Sequence, residues 1–137
     1  MDKVSKAVRS RNMSRIRSKD TTPEMVVRRL VHAAGFRYRL HARDLPGRPD
    51  LIFPRLRKAI FVHGCFWHRH RCKNGQVVPA TRTAFWQAKF EANVARDRKA
   101  RRQLRGEGWD VLVVWECATR KRDLGGLRDK LIGFLKS

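Results

Sequence analysis

Ten consecutive residues, His-Gly-Cys-Phe-Trp-His-Arg-His-Arg-Cys at positions 63–72, hold three histidines, two cysteines and two large aromatic side chains. Imidazole and thiolate groups are preferred protein ligands of zinc, and imidazole exchanges protons near neutral pH. A packed core has no use for so many imidazoles side by side. The segment is therefore predicted to carry the function, by metal binding and acid–base chemistry together.

The segment supplies three of four potential zinc ligands, and the only other cysteine of the chain supplies the fourth: Cys65, His70, Cys72 and Cys117. A Cys3His tetrahedron is a closed structural zinc site with no position left for substrate. The alternative is that cysteines are small buried hydrophobic residues, which suits Cys117 alone but not two cysteines in a polar loop. We predict a structural Zn²⁺ that fastens the loop to the sheet and leaves His63 and His68 for chemistry.

Asp50 follows a rigid turn, Leu-Pro-Gly-Arg-Pro at 45–49, and precedes an apolar strand. Its carboxylate is a hard oxygen ligand that can hold Mg²⁺ against a phosphate. Many metal-dependent nucleases share this layout, and on the next strand they carry a second carboxylate and a lysine. Here that strand ends in Phe-Val-His at 61–63, so histidine is the candidate general base. The alternative for Asp50 is a turn or capping aspartate.

A long helix predicted from 84 to 106 carries polar residues in its inward stripe, which consists of Trp86, Phe90, Asn93, Asp97, Ala100 and Leu104. A carboxylate on such a face is costly to bury unless it is paired. Asp97 is therefore a candidate partner for His63 or His68. The alternative is a solvated Asp97 in the charged run 96–105.

The composition indicates the partner. Lysine and arginine number 33 against 12 acidic residues, which gives a net charge of +21 and favours a polyanion, with nucleic acid first. A solvated basic surface or an anionic membrane are the alternatives. No apolar run is long enough to span a bilayer and no apolar signal segment follows the polar N-terminus, so we expect no membrane partner. Three cysteines without a signal peptide fit a reducing cytosol.

The remaining pattern predicts one domain over 1–137, with a basic N-terminal arm at 1–19 that forms a helix over 3–19. A second helix has Thr22 as its cap, Pro23 in its first turn and Gly35 at its end. Glu24 in its first turn is explained by the helix dipole alone. Strands are predicted at 36–41, 51–53, 58–62 and 111–115, with a turn at 54–57 and a last helix at 126–135. Helices therefore flank a small mixed sheet, which is an α/β fold.

These motifs together resemble one family. The segment at 63–72 is preceded by Leu-Pro-Gly-Arg-Pro-Asp and followed by Pro-Ala-Thr-Arg-Thr-x-Phe-Trp from 79 and Val-Val-Trp-Glu-Cys from 113. The combination is similar to the bacterial very short patch repair endonucleases, over nearly the whole chain from 10 to 117.

The resemblance implies a fold like that of type II restriction endonucleases and a Mg²⁺-dependent DNA endonuclease. Such enzymes nick one strand on the 5′ side of the thymine in T:G mismatches that arise when 5-methylcytosine deaminates. We therefore expect a monomer in the bacterial cytoplasm that acts on double-stranded DNA, with other repair proteins as further partners.

The resemblance also implies roles for residues. Asp50 and the main chain of Val62 hold Mg²⁺, and Glu24 reaches the water shell of the metal. The catalytic side chains beside the scissile phosphate are His68 as base, His63, and Asp97 as support for a histidine. The structural zinc belongs to the four ligands named above.

An aromatic wedge that enters the base stack from the major groove is implied for Phe66, Trp67 and Trp86, and Met13 on the N-terminal arm approaches from the minor groove. Unstacking a base step costs less at a mismatch, so an inserted aromatic side chain gains selectivity there. The alternative is that Phe66 and Trp67 pack around the zinc loop and Trp86 in the helix core.

Val62 stands where a familiar member of the family has threonine, and Arg69 and Arg71 stand where histidines are familiar. A main-chain carbonyl of valine can still bind metal, so neither change removes a proposed ligand. Two other functions stay open on the sequence: a non-catalytic, zinc-stapled nucleic-acid-binding protein, and a nicking endonuclease of the same fold with another target.

Overall fold

The computed structural model describes residues 21–137, so the predicted arm at 1–19, its helix and Met13 lie outside the described residues. The described helices are α1 (Thr22–Ala33), α2 (Cys65–His68), α3 (Thr83–Gly106) and α4 (Leu124–Lys136). The strands are β1 (Arg39–Leu40), β2 (Leu51–Phe53), β3 (Lys58–His63) and β4 (Asp110–Trp115). Short 3-10 turns lie at Asn74–Gln76, Glu116–Thr119 and Lys121–Asp123.

Residues 21–137 form one four-stranded mixed sheet in the order β1-β2-β3-β4. The first three strands pair antiparallel, whereas β3 and β4 run parallel from Lys58 opposite Asp110 to His63 opposite Trp115. A parallel pair needs a long crossover, and α3 with the loop before it supplies this connection. Because β3 and β4 are parallel, the zinc-ligand segment after β3 and Cys117 after β4 emerge at the same edge of the sheet.

The central strands β2 and β3 are buried on both faces, and successive side chains alternate between two cores. One core lies between the sheet and the helices α1 and α4; it includes Val27, Val31, Leu51, Ile60 and Leu131. The other lies under α3; it includes Ile52, Ala59, Phe61, Leu104 and Trp109. The same alternation places His63 on the face of Phe61, toward α3. The predicted α/β arrangement, a mixed sheet flanked by helices, is confirmed.

Several predicted boundaries are wrong in detail. The N-cap of α1 is Thr21 rather than Thr22, because the Thr21 hydroxyl accepts the backbone N–H of Glu24 at 3.4 Å. The strand predicted at 36–41 shrinks to the two residues of β1, since β2 offers only three residues for pairing and the chain turns away at His41. The long helix agrees within one residue at its start. The short helix α2 was not predicted, because one turn shows no periodicity.

Gly47 lets the turn before Asp50 pack against α3. Its φ is +73°, and a Cβ at this position would lie 2.6 Å from the Cβ of Ala100 and 3.2 Å from the Phe61 ring. A positive φ disfavours residues with a side chain. The helix α3, which carries Ala100, cannot move away without displacing the residues that flank the cleft. Gly47 therefore sets how closely the turn that precedes Asp50 approaches α3.

We expect Gly47→Ala to lower the free energy of unfolding by on the order of 1–3 kcal/mol, because it adds overpacking at a left-handed position. Urea denaturation measures this change. Gly106→Ala is the matched control, since nothing lies within 4 Å of the Cβ that it would add. Equal stability of the two variants would show that the turn is not held against α3.

Candidate active site and zinc centre

The four predicted zinc ligands converge at the edge where β3 and β4 end. The ligand atoms of Cys65, His70, Cys72 and Cys117 all lie within 4.8 Å of one another. His70 Nδ1 is 3.5 Å from the sulfur of Cys117 and 3.8 Å from that of Cys65. In a zinc tetrahedron with sulfur at ~2.3 Å and nitrogen at ~2.0 Å, such pairs lie about 3.5 Å apart. This donor set therefore fits zinc.

The local chemistry of the thiols agrees with a cation at this position. Hydrogen bonding to His70, together with the backbone N–H of Gly75, lowers the pKa of Cys72 to about 6, which favours the thiolate that binds metal. Burial raises the pKa of Cys65 to about 12. A bound cation would supply the positive charge that stabilises the Cys65 thiolate in this buried position.

One of the two histidines of the segment 63–72 that lie outside the candidate zinc site meets Asp97. His68 Nδ1 lies 2.6 Å from a carboxylate oxygen of Asp97, and the rings of His63 and His68 stack with centroids 3.9 Å apart and planes 7° from parallel. Sequence left open which histidine Asp97 would contact, and the structure gives His68. Asp97 and Asn93 are half-buried on α3, and Asn93 donates a hydrogen bond to the carbonyl of Trp67 at 3.3 Å.

His63 is a buried and neutral imidazole. Burial, together with the charges of His68 and Arg101, lowers its pKa to about 3 against the opposing charge of Asp97. Its Nδ1 is buried and has no hydrogen-bond partner among the described residues. Within this pair the Asp97 carboxylate contacts His68, while burial holds His63 in its neutral form.

A second carboxylate group lies at the start of β2. One oxygen of Asp50 accepts the backbone N–H of Val62 at 2.7 Å, and the ligand atoms of Asp50, Glu24 and His41 lie within 4.8 Å of one another. The N–H and C=O of a strand residue point to the same side, so the Val62 carbonyl also faces Asp50. Glu24, 1% exposed, accepts a hydrogen bond from Arg28, and His41 Nε2 lies 2.9 Å from the same carboxylate oxygen.

The acid–base state of Asp50 fits a cation site. Burial, together with the neighbouring Glu24 carboxylate, raises its pKa to about 7, and the hydrogen bond from Val62 opposes this shift. Two carboxylates at such a distance repel each other, and either a proton or a metal ion relieves the repulsion. The donors, two carboxylates and a main-chain carbonyl, are the oxygen ligands that Mg²⁺ prefers.

The carboxylate group and the histidine pair open onto one cleft of about 1090 Å³, whose charged and polar lining includes Arg43, Arg48, Asp50, His63, His68, Arg96, Asp97 and Arg101. Four arginines thus face the same space as the candidate catalytic groups. A concave site with converging polar groups and cations suits a phosphate-bearing substrate. The lining role of Arg101 and the placement of His41 were missed in the sequence, where neither residue belongs to a motif.

The aromatic side chains predicted to form a wedge do meet. The Phe66 ring lies 5.1 Å from that of Trp67 and 6.1 Å from that of Trp86, edge to face in both cases. Arg69 stacks its guanidinium 3.9 Å above Phe90 and donates to the carbonyl of Val77 at 2.7 Å. All three predicted wedge residues are half-buried, and Phe66 and Trp67 line the cleft.

The comparisons with known proteins concern the whole chain. The family described as "DNA mismatch endonuclease Vsr" matches residues 1–74. A relative from Xanthomonas oryzae pv. oryzae, "Type II nicking enzyme V.XorIIP", is 48% identical over 134 residues, which cover 98% of this chain and 96% of the relative. The "DNA mismatch endonuclease Vsr" of Escherichia coli K12 is 48% identical over 118 residues, with 86% of this chain and 75% of the relative covered.

The chain belongs to the Vsr family of DNA mismatch endonucleases. A third relative, "Type II nicking enzyme V.NmeAIP" of Neisseria meningitidis, is 40% identical and covers 83% of this chain. The resemblance inferred from the motifs is thereby confirmed, and the protein is a DNA endonuclease. Residues 21–137 contain no helix that is long and apolar enough to cross a membrane.

We expect Cys117→Ser to lower the zinc content of this Vsr-family endonuclease below one ion per chain and to lower its melting temperature. The reason is that Cys117 is the one ligand supplied from outside the segment 63–72, so its loss frees that segment from the sheet. Metal analysis and calorimetry measure both effects. Ala118→Ser is the matched control, and full zinc occupancy with unchanged melting in Cys117→Ser would contradict the zinc centre.

Proposed function

We propose that the enzyme nicks one DNA strand on the 5′ side of the thymine in T:G mismatches left by deamination of 5-methylcytosine. The observation that carries the proposal is one cleft that joins the His63–His68–Asp97 group, the Asp50 carboxylate and the aromatic cluster of Phe66 and Trp67. Further support comes from the Escherichia coli relative named as a mismatch endonuclease.

The proposed function implies a particular fold and domain organisation. A mixed sheet with a carboxylate at the start of one central strand and catalytic groups at the end of the next supports a restriction-endonuclease-like fold. The predicted single domain over 1–137, with a basic arm at 1–19, belongs to the same proposal. A net charge of +21 supports close contact with the DNA phosphates.

Asp50 and the Val62 carbonyl would hold Mg²⁺, with Glu24 beside them. When bound, the ion would supply positive charge against the scissile phosphate. Asp50 has a second role in this chain, because its hydrogen bond to Val62 ties the start of β2 to the end of β3. That bond fixes the carboxylate relative to His63, the next residue of β3.

His68 is the general base in this account. Asp97 at 2.6 Å holds its Nδ1–H, so Nε2 is the atom that takes the proton from the attacking water. As the imidazolium forms, the carboxylate stabilises it without accepting the proton. His63 stays neutral in the stacked pair and offers a hydrogen bond to the phosphate without competing for that proton.

The aromatic cluster supplies mismatch preference in the proposal. Unstacking a base step costs a few kcal/mol, and less where the pair is already mismatched. Phe66 and Trp67 lie on α2, next in the chain to the catalytic His68, and their rings contact Trp86 on α3. This short connection would couple insertion beside the mismatch to placement of the base beside the phosphate. Met13 would contact the minor groove from the N-terminal arm.

A nicking endonuclease with another target is the second candidate, since two relatives are named type II nicking enzymes. Nicking rates on duplexes that carry each mismatch in a randomised flank separate the two. The proposal expects T:G to be cut fastest. Equal cutting of fully paired duplexes would favour the second candidate. A binding protein without catalysis is set aside, because the family is one of endonucleases.

We expect His68→Ala to lower the single-turnover nicking rate on T:G duplex by ~10²–10⁴-fold, because the water loses its proton acceptor.

Asp50→Ala should abolish nicking and keep DNA binding, because it removes a metal ligand and no cation. Quenched-flow experiments measure the nicking rate of each variant, and fluorescence anisotropy measures its DNA binding. The control is His32→Ala, an exposed histidine on α1. A near-normal rate for His68→Ala would move the base elsewhere, with His63 next.

We expect Trp67→Ala to lower the preference for T:G over paired duplex by roughly 5- to 150-fold, which corresponds to the loss of ~1–3 kcal/mol of stacking per base. Binding to paired duplex should change little, because it depends on phosphate contacts and falls steeply with salt. Leu56→Ala, exposed in the β2–β3 turn at the opposite edge of the sheet, is the control. Unchanged mismatch preference in Trp67→Ala would remove the wedge from the proposal.

A further inference from the structure

His41 lies beside the proposed magnesium ligands although it belongs to none of the motifs in the sequence. Its Nε2 is 2.9 Å from a carboxylate oxygen of Glu24, and it groups with Glu24 and Asp50 as a third cluster of potential metal ligands. We infer that His41 is a direct nitrogen ligand of the active-site cation and that it raises the affinity for first-row transition ions such as Mn²⁺ more than the affinity for Mg²⁺. The inference rests on the proposed function, in which Asp50 holds that cation.

His41 adopts a strained backbone conformation at this position. Its φ is +48°, in the left-handed region that residues other than glycine seldom adopt, and the strain is on the order of 1 kcal/mol. The conformation ends β1 and sets the His41 N–H against the Asp50 carbonyl at 3.0 Å. The imidazole is thereby carried to the start of β2, within reach of both carboxylates.

The distance suits coordination. Adjacent ligands of an octahedral ion bound at ~2.1 Å lie about 3.0 Å apart, close to the 2.9 Å between His41 Nε2 and the Glu24 oxygen, so this distance suits an ion that both side chains contact directly, without a water between the ion and Glu24. Arg28 already donates to Glu24, so that carboxylate is held in place without a further donor from His41. A hydrogen bond between His41 and Glu24 has a similar length, and spectroscopy distinguishes the two arrangements.

Ligand chemistry predicts which ions bind more tightly when His41 coordinates them. Mg²⁺ keeps oxygen ligands and several waters, whereas first-row transition ions accept imidazole readily. A site of two carboxylates, a main-chain carbonyl and one imidazole therefore holds both classes, and the imidazole adds affinity mainly for the second. His41 would thus widen the range of usable cations while Asp50 remains the common ligand.

The test uses the full-length, zinc-loaded protein titrated with Mn²⁺ and followed by electron paramagnetic resonance. A nitrogen bound directly to Mn²⁺ modulates the electron spin echo, and we expect this modulation in the wild type. His41→Asn keeps a residue that tolerates positive φ and removes the imidazole. It should abolish the modulation and weaken Mn²⁺ binding by about tenfold, with Mg²⁺ binding, measured by competition, weakened less than about threefold.

Three control variants show whether the nitrogen that modulates the spin echo belongs to His41. His32→Asn, the same change at an exposed position of α1, should leave the modulation and the affinity unchanged, and His63→Asn and His68→Asn should keep the modulation. Zinc content and melting report whether each variant folds, and His41→Gly replaces His41→Asn if the latter does not. Modulation that persists without His41, or that is absent from the wild type, would overturn the inference.

Asp50→Ala separates this inference from the proposed function. Loss of Mn²⁺ binding in Asp50→Ala without nitrogen modulation in the wild type would overturn only the assignment of His41. Unchanged Mn²⁺ affinity in Asp50→Ala would show that the ion binds elsewhere, and both proposals would fail.

Discussion

The parallel pairing of β3 and β4 is the constraint on which both centres depend. It brings the ends of the two strands to one edge, with His63 opposite Trp115, so the loops that follow can share one set of metal ligands. Trp115 contacts both centres, since its ring stacks on the zinc-ligand candidate His70 at 4.4 Å and meets His63 edge to face at 5.4 Å. A structural metal bound at this edge would therefore act on the proposed catalytic geometry without touching the substrate.

The cleft is built from groups that depend on a partner for their charge state. Burial would leave Asp50 largely protonated below pH 7, and a cation beside it would hold it ionised. Burial keeps His63 neutral, and only His68 has a carboxylate placed to stabilise its protonated form. The two stacked imidazoles therefore differ in burial and in contact with a carboxylate, which supports the different roles proposed for them.

The types of residue in the site could be predicted from the sequence more readily than the contacts between them. Spacing placed Asn93 and Asp97 on the inward face of α3, and thiol chemistry selected the four residues that converge as a zinc set. The choice of His68 over His63 as the partner of Asp97 could not be predicted, because it depends on the single turn of α2 and on the face to which β3 directs His63. His41 was missed for a similar reason, since its place beside Glu24 follows from a left-handed backbone conformation that no motif signals. The roles of these residues in catalysis stay predictions.

His68 lies in the segment 63–72, which carries three of the four proposed zinc ligands, and we propose that the zinc centre thereby holds His68 on Asp97. The most direct test observes the imidazole Nδ1–H of His68 by proton nuclear magnetic resonance, with Asp97→Asn to assign it, before and after zinc is removed by a chelator. The account predicts a low-field, slowly exchanging proton that disappears on zinc removal and returns when zinc is restored, while the amides of β2 and β3 stay protected throughout. Persistence of that proton in the zinc-free protein would contradict the account, because the catalytic pair would then be held by the α/β core alone.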